Sequence, residues 1–292
     1  RTGHDSNGRS ADRSLVLDEV TMGELLKKQG YATGIVGKWH LGATERQYLP
    51  LARGFDHYVG HEGNINEKGG LGYIRGNKSV DFQEHPITSD AWAEESIKFI
   101  KKNKDNPFFL YLPHTMVHLP LAVSTEFENR TDRLIWDAIE EVDWSVGEVL
   151  KEIKSLKIDK ETLVIFTSDN GAAVGTSLPL RAKKGSVYDG GIREPTVMWW
   201  PGKIPAGEKC KEVAATIDLL PTLAKLCGGK LSGRKIDGKN IWPLMSGNTD
   251  ATSPHKNYVL MHGPGTVRSG KWKFYPWQEG KGGKRHEKAN NP

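Results

Sequence analysis

The side chains able to do chemistry fall in a few short clusters. Lys38 and His40 flank Trp39 in a turn bounded by Gly37 and Gly42. In an extended segment residues i and i+2 share a side. A fixed cation and a proton-shuttling imidazole on one side would suit an oxyanion. A surface lysine and a structural histidine around a core tryptophan explain the same residues. His114 and His118 lie four apart, but Pro113 and Pro120 argue against a shared helical face, and so against a zinc pair. His118 is then a loop histidine, either functional or satisfied locally. Asp169-Asn170-Gly171 offers a carboxylate and an amide oxygen, which hard cations such as Ca²⁺ or Mg²⁺ prefer. The same triplet is ordinary Asx-turn chemistry. Lys183-Lys184-Gly185 precedes Gly190-Gly191, where missing side chains would let backbone approach a ligand. Two adjacent lysines equally suit a solvated loop.

Each cluster needs an element to hold it. Thr21 and Glu24 form a capping box before the apolar face Met22, Leu25 and Leu26, and Gly30 ends that helix. Residues 31–36 read as a strand, which Lys38 and His40 follow. Residues 43–88 read as Gly-rich and irregular, the usual place for substrate-contacting loops. Ser89 or Asp90 caps a helix carrying Ala93, Ile97 and Ile100. The apolar run 108–112 predicts a strand buried on both faces, and so does 162–167. Ile135, Ile139, Val142, Val146, Val149 and Ile153 have the spacing of a long amphipathic helix. A strand over 196–200 and a helix capped by Asp218 complete the alternation.

This order predicts an α/β fold, a mostly parallel sheet with helices on both faces. Such sheets bind ligands beyond the carboxyl ends of their strands, where the Lys38/His40, His114/His118 and Asp169/Asn170 clusters would converge on one crevice. Past residue 250 the runs 258–261 and 271–275 read as a hairpin. The expected organisation is an α/β domain over 1–250 and the start of a small antiparallel subdomain over 251–292.

Composition narrows the function classes. With 37% hydrophobic and 26% charged residues the chain can bury a core, and no run approaches the roughly 18 apolar residues of a membrane span. The net charge of +5 comes mostly from the end: from Lys271 onward there are six basic residues and two acidic ones. A nucleic-acid arm would look like this, but so does a solvated loop, and no nucleic-acid partner is expected. Cys210 and Cys227 are too few for a disulfide framework and lack zinc spacing; their pairing stays open.

The order of the clusters says more than any one of them. Gly30-Tyr31-Ala32-Thr33-Gly34-Ile35-Val36-Gly37-Lys38-Trp39-His40-Leu41-Gly42 closely resembles the second signature of the sulfatase family. Residues 108–120, Thr167-Ser168-Asp169-Asn170-Gly171, and Lys184-Gly185 through Gly190-Gly191-Ile192-Arg193-Glu194-Pro195 resemble later family segments in the same order. Trp199-Trp200-Pro201-Gly202 and Val267-Arg268-Ser269-Gly270-Lys271-Trp272-Lys273 do so too. The resemblance implies an alkaline-phosphatase-like α/β fold that hydrolyses sulfate esters. In that family a cysteine or serine becomes formylglycine, whose hydrate attacks sulfur, and a divalent cation, usually Ca²⁺ rather than Mg²⁺, holds nucleophile and sulfate. Matched by motif, Asp169 and Asn170 are metal ligands, and Lys38 and Lys184 bind sulfate. His40 helps the aldehyde hydrate collapse, and His118 contacts sulfate and leaving group. A sulfated small molecule or carbohydrate and a periplasmic, secreted or lysosome-like location are implied as well; the oligomeric state is not.

The sequence also departs from the family pattern. The nucleophile motif, Cys or Ser-x-Pro-x-Arg, and a paired-Asp metal segment should precede Lys38, and neither is present. Arg1-Thr2-Gly3 resembles the residues just after the nucleophile, so the chain is expected to be a fragment, inactive alone and short of part of its C-terminal subdomain. Ser177-Leu178-Pro179-Leu180-Arg181 satisfies the nucleophile motif literally, but it stands at the family's approach to the late lysine and is expected not to be the nucleophile. Three other readings stay open: a phosphomonoester or phosphodiester hydrolase of the same fold, a degenerate carbohydrate-binding relative, and a nucleic-acid binder.

Overall fold

The computed structural model describes residues 14–42, 45–63, 73–76, 78–80, 88–231, 233–255, 257–260 and 266–275. Arg1-Thr2-Gly3, residues 64–72 of the Gly-rich loop, Met261 and the basic tail past Tyr275 lie outside the described residues. The chain divides into two compact units, Arg1–Asp159 with Leu219–Gly238, and Lys160–Asp218 with Lys239–Pro292.

The first unit is built on β1 (Ala32–Lys38), buried along nearly its whole length. β1 runs parallel to β2 (His57–His61) on one side and β5 (Phe108–Tyr111) on the other. Short strands β3 (Tyr73–Arg75) and β4 (Lys78–Val80) extend the sheet antiparallel beyond β2, giving the order β4-β3-β2-β1-β5. Alternation along β1 and β2 sends Ile35 and Tyr58 to a cluster with Trp39, Phe55 and Ile74, and Val36 and Val59 to the opposite face under Trp92. Trp92 belongs to α2 (Ser89–Asn103), whose Phe99 ring fills the space a side chain at Gly34 would need. α1 (Met22–Lys27) has both bonds of the expected capping box, at 2.8 and 3.0 Å, and meets β1 and α5 (Leu219–Leu226).

Four expectations change here. Residues 43–88 are not irregular throughout, since they hold β2, β3 and β4. Thr88, not Ser89 or Asp90, precedes the first turn of α2. Among the described residues β5 lies at the edge of this sheet, and Tyr111 is 41% exposed rather than buried on both faces. α3 (Leu134–Ser155) forms, but it buries Ala138, Glu141 and Ser145 and leaves Ile139 40% exposed. The reason is polar. Glu141 accepts the backbone N–H of Asp90 at 3.2 Å and of Ser124 at 3.1 Å, so packing against α2 draws the carboxylate inward.

In the second unit β6 (Val164–Thr167) pairs antiparallel with β7 (Thr196–Trp199) over Ile241, Leu244 and Met245, the latter two in α6 (Trp242–Met245). Phe166 is 40% exposed, so this run too is half-covered. α4 (Asp189–Ile192) is a single turn. The expected hairpin becomes a three-stranded sheet. β8 (Asn257–Leu260) and β10 (Trp272–Phe274) do not pair with each other; both pair with β9 (Thr266–Ser269) between them. Asp218 turns its carboxylate to the backbone N–H of Ala215 and Lys239, each at 2.8 Å, and to His255 Nε2. Cys210 and Cys227 are free thiols. The α/β class stands, with parallel pairing at β2-β1-β5 and antiparallel sheets toward the C-terminus. Among the described residues no helix is long and apolar enough to cross a membrane.

Candidate active site

In the first unit Lys38 is the last residue of β1, and its backbone N–H donates to Pro113 O at 2.9 Å. Gly37, at φ 119°, makes this possible, because a side chain there would strike the same carbonyl. Trp39 is pinned by its indole N–H, which is shared between Gly42 O at 3.1 Å and Tyr48 O at 2.9 Å. His40 leaves the strand in the left-handed region at φ 52°, so simple strand alternation does not aim it beside Lys38. Its N–H is held by Glu62 O at 2.7 Å. His118 closes a turn through its N–H to Thr115 O at 3.1 Å. Its Nδ1 lies 2.7 Å from Leu119 O and must donate there, which leaves Nε2 as the atom for a ligand.

His114 does not join His118. Both its ring nitrogens are buried with no partner among the described residues, and burial lowers its pKa to about 4. Sequence reading missed His61 altogether. It is 3% exposed, 2.6 Å from Thr115 Oγ1, and close enough to Lys38 and His40 for their charges to act on it. The signal available was the apolar pair Tyr58-Val59, which marks a strand ending at His61.

In the second unit Asp169 and Asn170 follow β6. Gly171 N–H donates to Gly191 O at 3.1 Å and Lys184 N–H to Ala172 O at 3.1 Å, so the two loops lie together. The glycines serve this contact. A side chain at Gly171 would strike Gly190 O, and one at Gly190 would strike the carbonyls of Arg181 and Ala182. The close approach expected of Gly190-Gly191 is thus backbone to backbone. Lys183 is tied down, with Nζ 2.5 Å from Gly175 O, while Lys184 is exposed. Ser177 donates to Gly190 O at 2.8 Å and accepts from Ala172 N–H at 3.3 Å, which makes it a brace within the loop.

Two charged groups support this cluster. Asp189 pairs with Lys273 at 2.8 Å and lies 3.8 Å from Arg268. Burial raises its pKa, but the Lys273 bond and the charges of Lys273, Arg268 and Arg193 outweigh that and hold it below the ordinary carboxylate value. Glu194 has both carboxylate oxygens buried without a partner among the described residues. Burial first, and the charge of Asp169 second, push it up to about 7.

The sulfatase family profile matches residues 4–229. The chain belongs to the sulfatase family. It is 33% identical over 316 residues to N-acetylgalactosamine-6-sulfatase of Canis lupus familiaris, covering 95% of this chain and 60% of that protein. Human arylsulfatase A is 33% identical over 321 residues, with 93% and 61% covered. These curated relatives are thus matched over less than two thirds of their own length. A crystal structure of Ps i-CgsB in complex with k-i-k-neocarrahexaose superposes with TM-score 0.76 at 27% identity, over 93% of this chain and 70% of that one. The PsFucS1 sulfatase from Pseudoalteromonas sp. gives TM-score 0.78 at 25% identity, over 88% and 60%.

A divalent cation suits the second-unit donors in type and charge. Asp169 and Asn170 provide oxygen, and Glu194 adds two buried carboxylate oxygens with no partner among the described residues. Among the described residues no group of three or more His, Cys, Asp or Glu side chains is gathered for a metal.

Proposed function

We propose that this sulfatase-family chain carries the sulfate-handling residues of an enzyme that hydrolyses sulfate esters. One observation carries the reading: Lys38 ends β1, while His40, His118, Asp169 and Asn170 follow the carboxyl ends of β1, β5 and β6, and the family match runs through every one of them. Lys38 and Lys184 neutralise charge on the transferring sulfuryl group, where a fixed cation stabilises the transition state most. His118, held through Nδ1 by Leu119 O, turns Nε2 to the leaving-group oxygen as the general acid. His40, whose backbone N–H is held by Glu62 O, would carry a proton to and from a formylglycine nucleophile placed beside it. Asp169 and Asn170 would hold Ca²⁺, with Mg²⁺ the second choice, and the ion would polarise a sulfate oxygen as a Lewis acid. The family's nucleophile, a formylglycine, is assigned to no residue of this sequence, because the hydroxyl of Ser177 is committed to the loop backbone.

The substrate class is a sulfated carbohydrate or a small sulfate ester, and an extracytoplasmic location goes with the family. The test is Ca²⁺ and inorganic sulfate binding by this chain, and aryl sulfate hydrolysis with and without Ca²⁺ by a form of the enzyme that carries the family's nucleophile, each as wild type and as Asp169→Ala. Asp169→Ala should lose Ca²⁺ binding and every Ca²⁺-dependent gain, since a cation deprived of an anionic ligand is held far more weakly. Unchanged metal stoichiometry would reduce Asp169 to a turn residue, and preference for the phosphate ester would favour the phosphohydrolase reading.

A further inference from the structure

His61 ends β2 opposite Lys38 in the parallel register. Three segments meet on it. Its ring stacks on Trp92 of α2 at 6.1 Å and 27°, its Nε2 lies 2.6 Å from Thr115 Oγ1, and its carbonyl takes the Trp39 N–H at 2.9 Å. The protons can be assigned. Trp92 Nε1 is donor-only and donates to Thr115 Oγ1 at 3.3 Å. The His61 ring also donates to the Gly63 carbonyl. A neutral imidazole carries one N–H, which must then sit on Nδ1, so Nε2 accepts the Thr115 hydroxyl proton. The chain runs from Trp92 to Thr115 to His61 to Gly63 and is complete with a neutral ring. Burial favours that state and lowers the pKa to about 4; the Gly63 bond opposes this, while Lys38 and His40 reinforce it.

The residues beside this chain hold the candidate catalytic groups. Thr115 O accepts the His118 N–H, Pro113 O accepts the Lys38 N–H, and Glu62 O accepts the His40 N–H. Resting on the sulfatase reading of those three residues, we infer that His61 is a positioning residue. Its neutral Nδ1–H form locks the 115–118 turn to the end of β2 and so sets Lys38, His40 and His118 for sulfate. A histidine that merely fills the core would behave differently, because phenylalanine keeps the stack on Trp92 and would leave those three residues undisturbed.

The experiment combines ¹⁵N-histidine NMR with inorganic sulfate binding at pH 7. Wild-type His61 should show an unprotonated Nε2; a protonated one overturns the proposal. His61→Phe and Thr115→Val should each shift the His40 and His118 ring resonances and weaken sulfate binding on the order of 10-fold, as loss of an outer-shell partner does. The double variant should lose no more than either single one, since both remove one bond. His61→Gln, which keeps an acceptor toward Thr115, should restore most of the affinity. Unmoved rings with unchanged affinity in His61→Phe sink the inference. If the wild type binds no sulfate, the sulfatase reading fails, and the ring shifts alone decide the positioning. If His61→Phe does not fold, Thr115→Val carries the same comparison.

Discussion

The two units hold their candidate functional residues by different means. In the first, Lys38, His40 and His118 are half-buried and hang from strand exits tied together by hydrogen bonds around the buried pair His61 and Thr115. In the second, Asp169, Asn170 and Lys184 sit on loops held by glycine-to-carbonyl contacts and by the half-buried clamp of Asp189 with Lys273 and Arg268. A sheet supplies rigid exits, so the first cluster needs only a few polar ties to fix its side chains. Loops supply no frame, so the second cluster fixes its backbone by leaving out side chains, and it uses charge to fasten the rest. The first arrangement should respond to buried neutral histidines and the second to carboxylates and steric crowding.

The largest effect expected is on turnover. In a form of the enzyme that carries the family's nucleophile, Lys184→Ala should lower kcat/KM for an aryl sulfate by roughly 10²-fold or more, as loss of a transition-state charge contact does. Lys183→Ala should cost far less, because its ammonium is already spent on Gly175 O. Failure of Lys183→Ala instead would keep the cluster and move the register by one.

Crowding comes next. Gly190→Ala would press a Cβ against the carbonyls of Arg181 and Ala182, and Gly37→Ala would do so against Pro113 O from a positive φ. Overpacking of this kind costs about 1–3 kcal/mol, and Gly37→Ala, which adds backbone strain, should be the worse of the two in urea unfolding. Equal, negligible losses would mean that neither contact is tight.

The pH response should separate the units by sign. His61 and His114 titrate from 6.5 unfolded to about 4 folded. Between those values the unfolded chain binds protons that the folded one does not, so the first unit loses stability as pH falls from 6.5 to 4. Glu194 goes the other way. Its pKa rises from 4.5 unfolded to about 7 folded, so in chelator the second unit loses stability as pH rises from 4.5 to 7. Hydrogen exchange followed unit by unit should show opposite slopes. His114→Phe should flatten the first and Glu194→Gln the second; parallel slopes would break the comparison.

What the sequence disclosed follows the same division. β1, the Thr21–Glu24 capping box and the polar groups at strand exits are local features, set by residues within a few positions of each other. The buried face of α3 was not legible, because Glu141 is drawn in by backbone donors at Asp90 and Ser124, far away in sequence. β2 was hidden by Gly60 and two histidines, and His61 acquires its role only from Thr115, 54 residues on. In the second unit the motif placed Lys184, while the fate of Lys183 and Ser177 depended on carbonyls that no side-chain pattern encodes.

Ser177 gives the smallest expected effect and the sharpest test of that last point. It satisfies Ser-x-Pro-x-Arg, so a nucleophile reading predicts that Ser177→Ala abolishes turnover. The structure commits its hydroxyl twice, donating to Gly190 O at 2.8 Å and accepting from Ala172 N–H at 3.3 Å. A hydroxyl so placed joins the loop after β6 to the glycine pair that supports Lys184. Ser177→Ala should therefore cost about 1 kcal/mol of stability, the usual worth of such a bond, and, in a form of the enzyme that carries the family's nucleophile, leave kcat within a few-fold of wild type. Any loss should appear first as faster hydrogen exchange at Ala172, whose N–H would lose its acceptor. A dead Ser177→Ala beside an active Lys184→Ala would show that the loop has been read backwards. A stable, active Ser177→Ala with unchanged exchange at Ala172 would show that the brace is idle, and that the glycine contacts alone hold the second cluster.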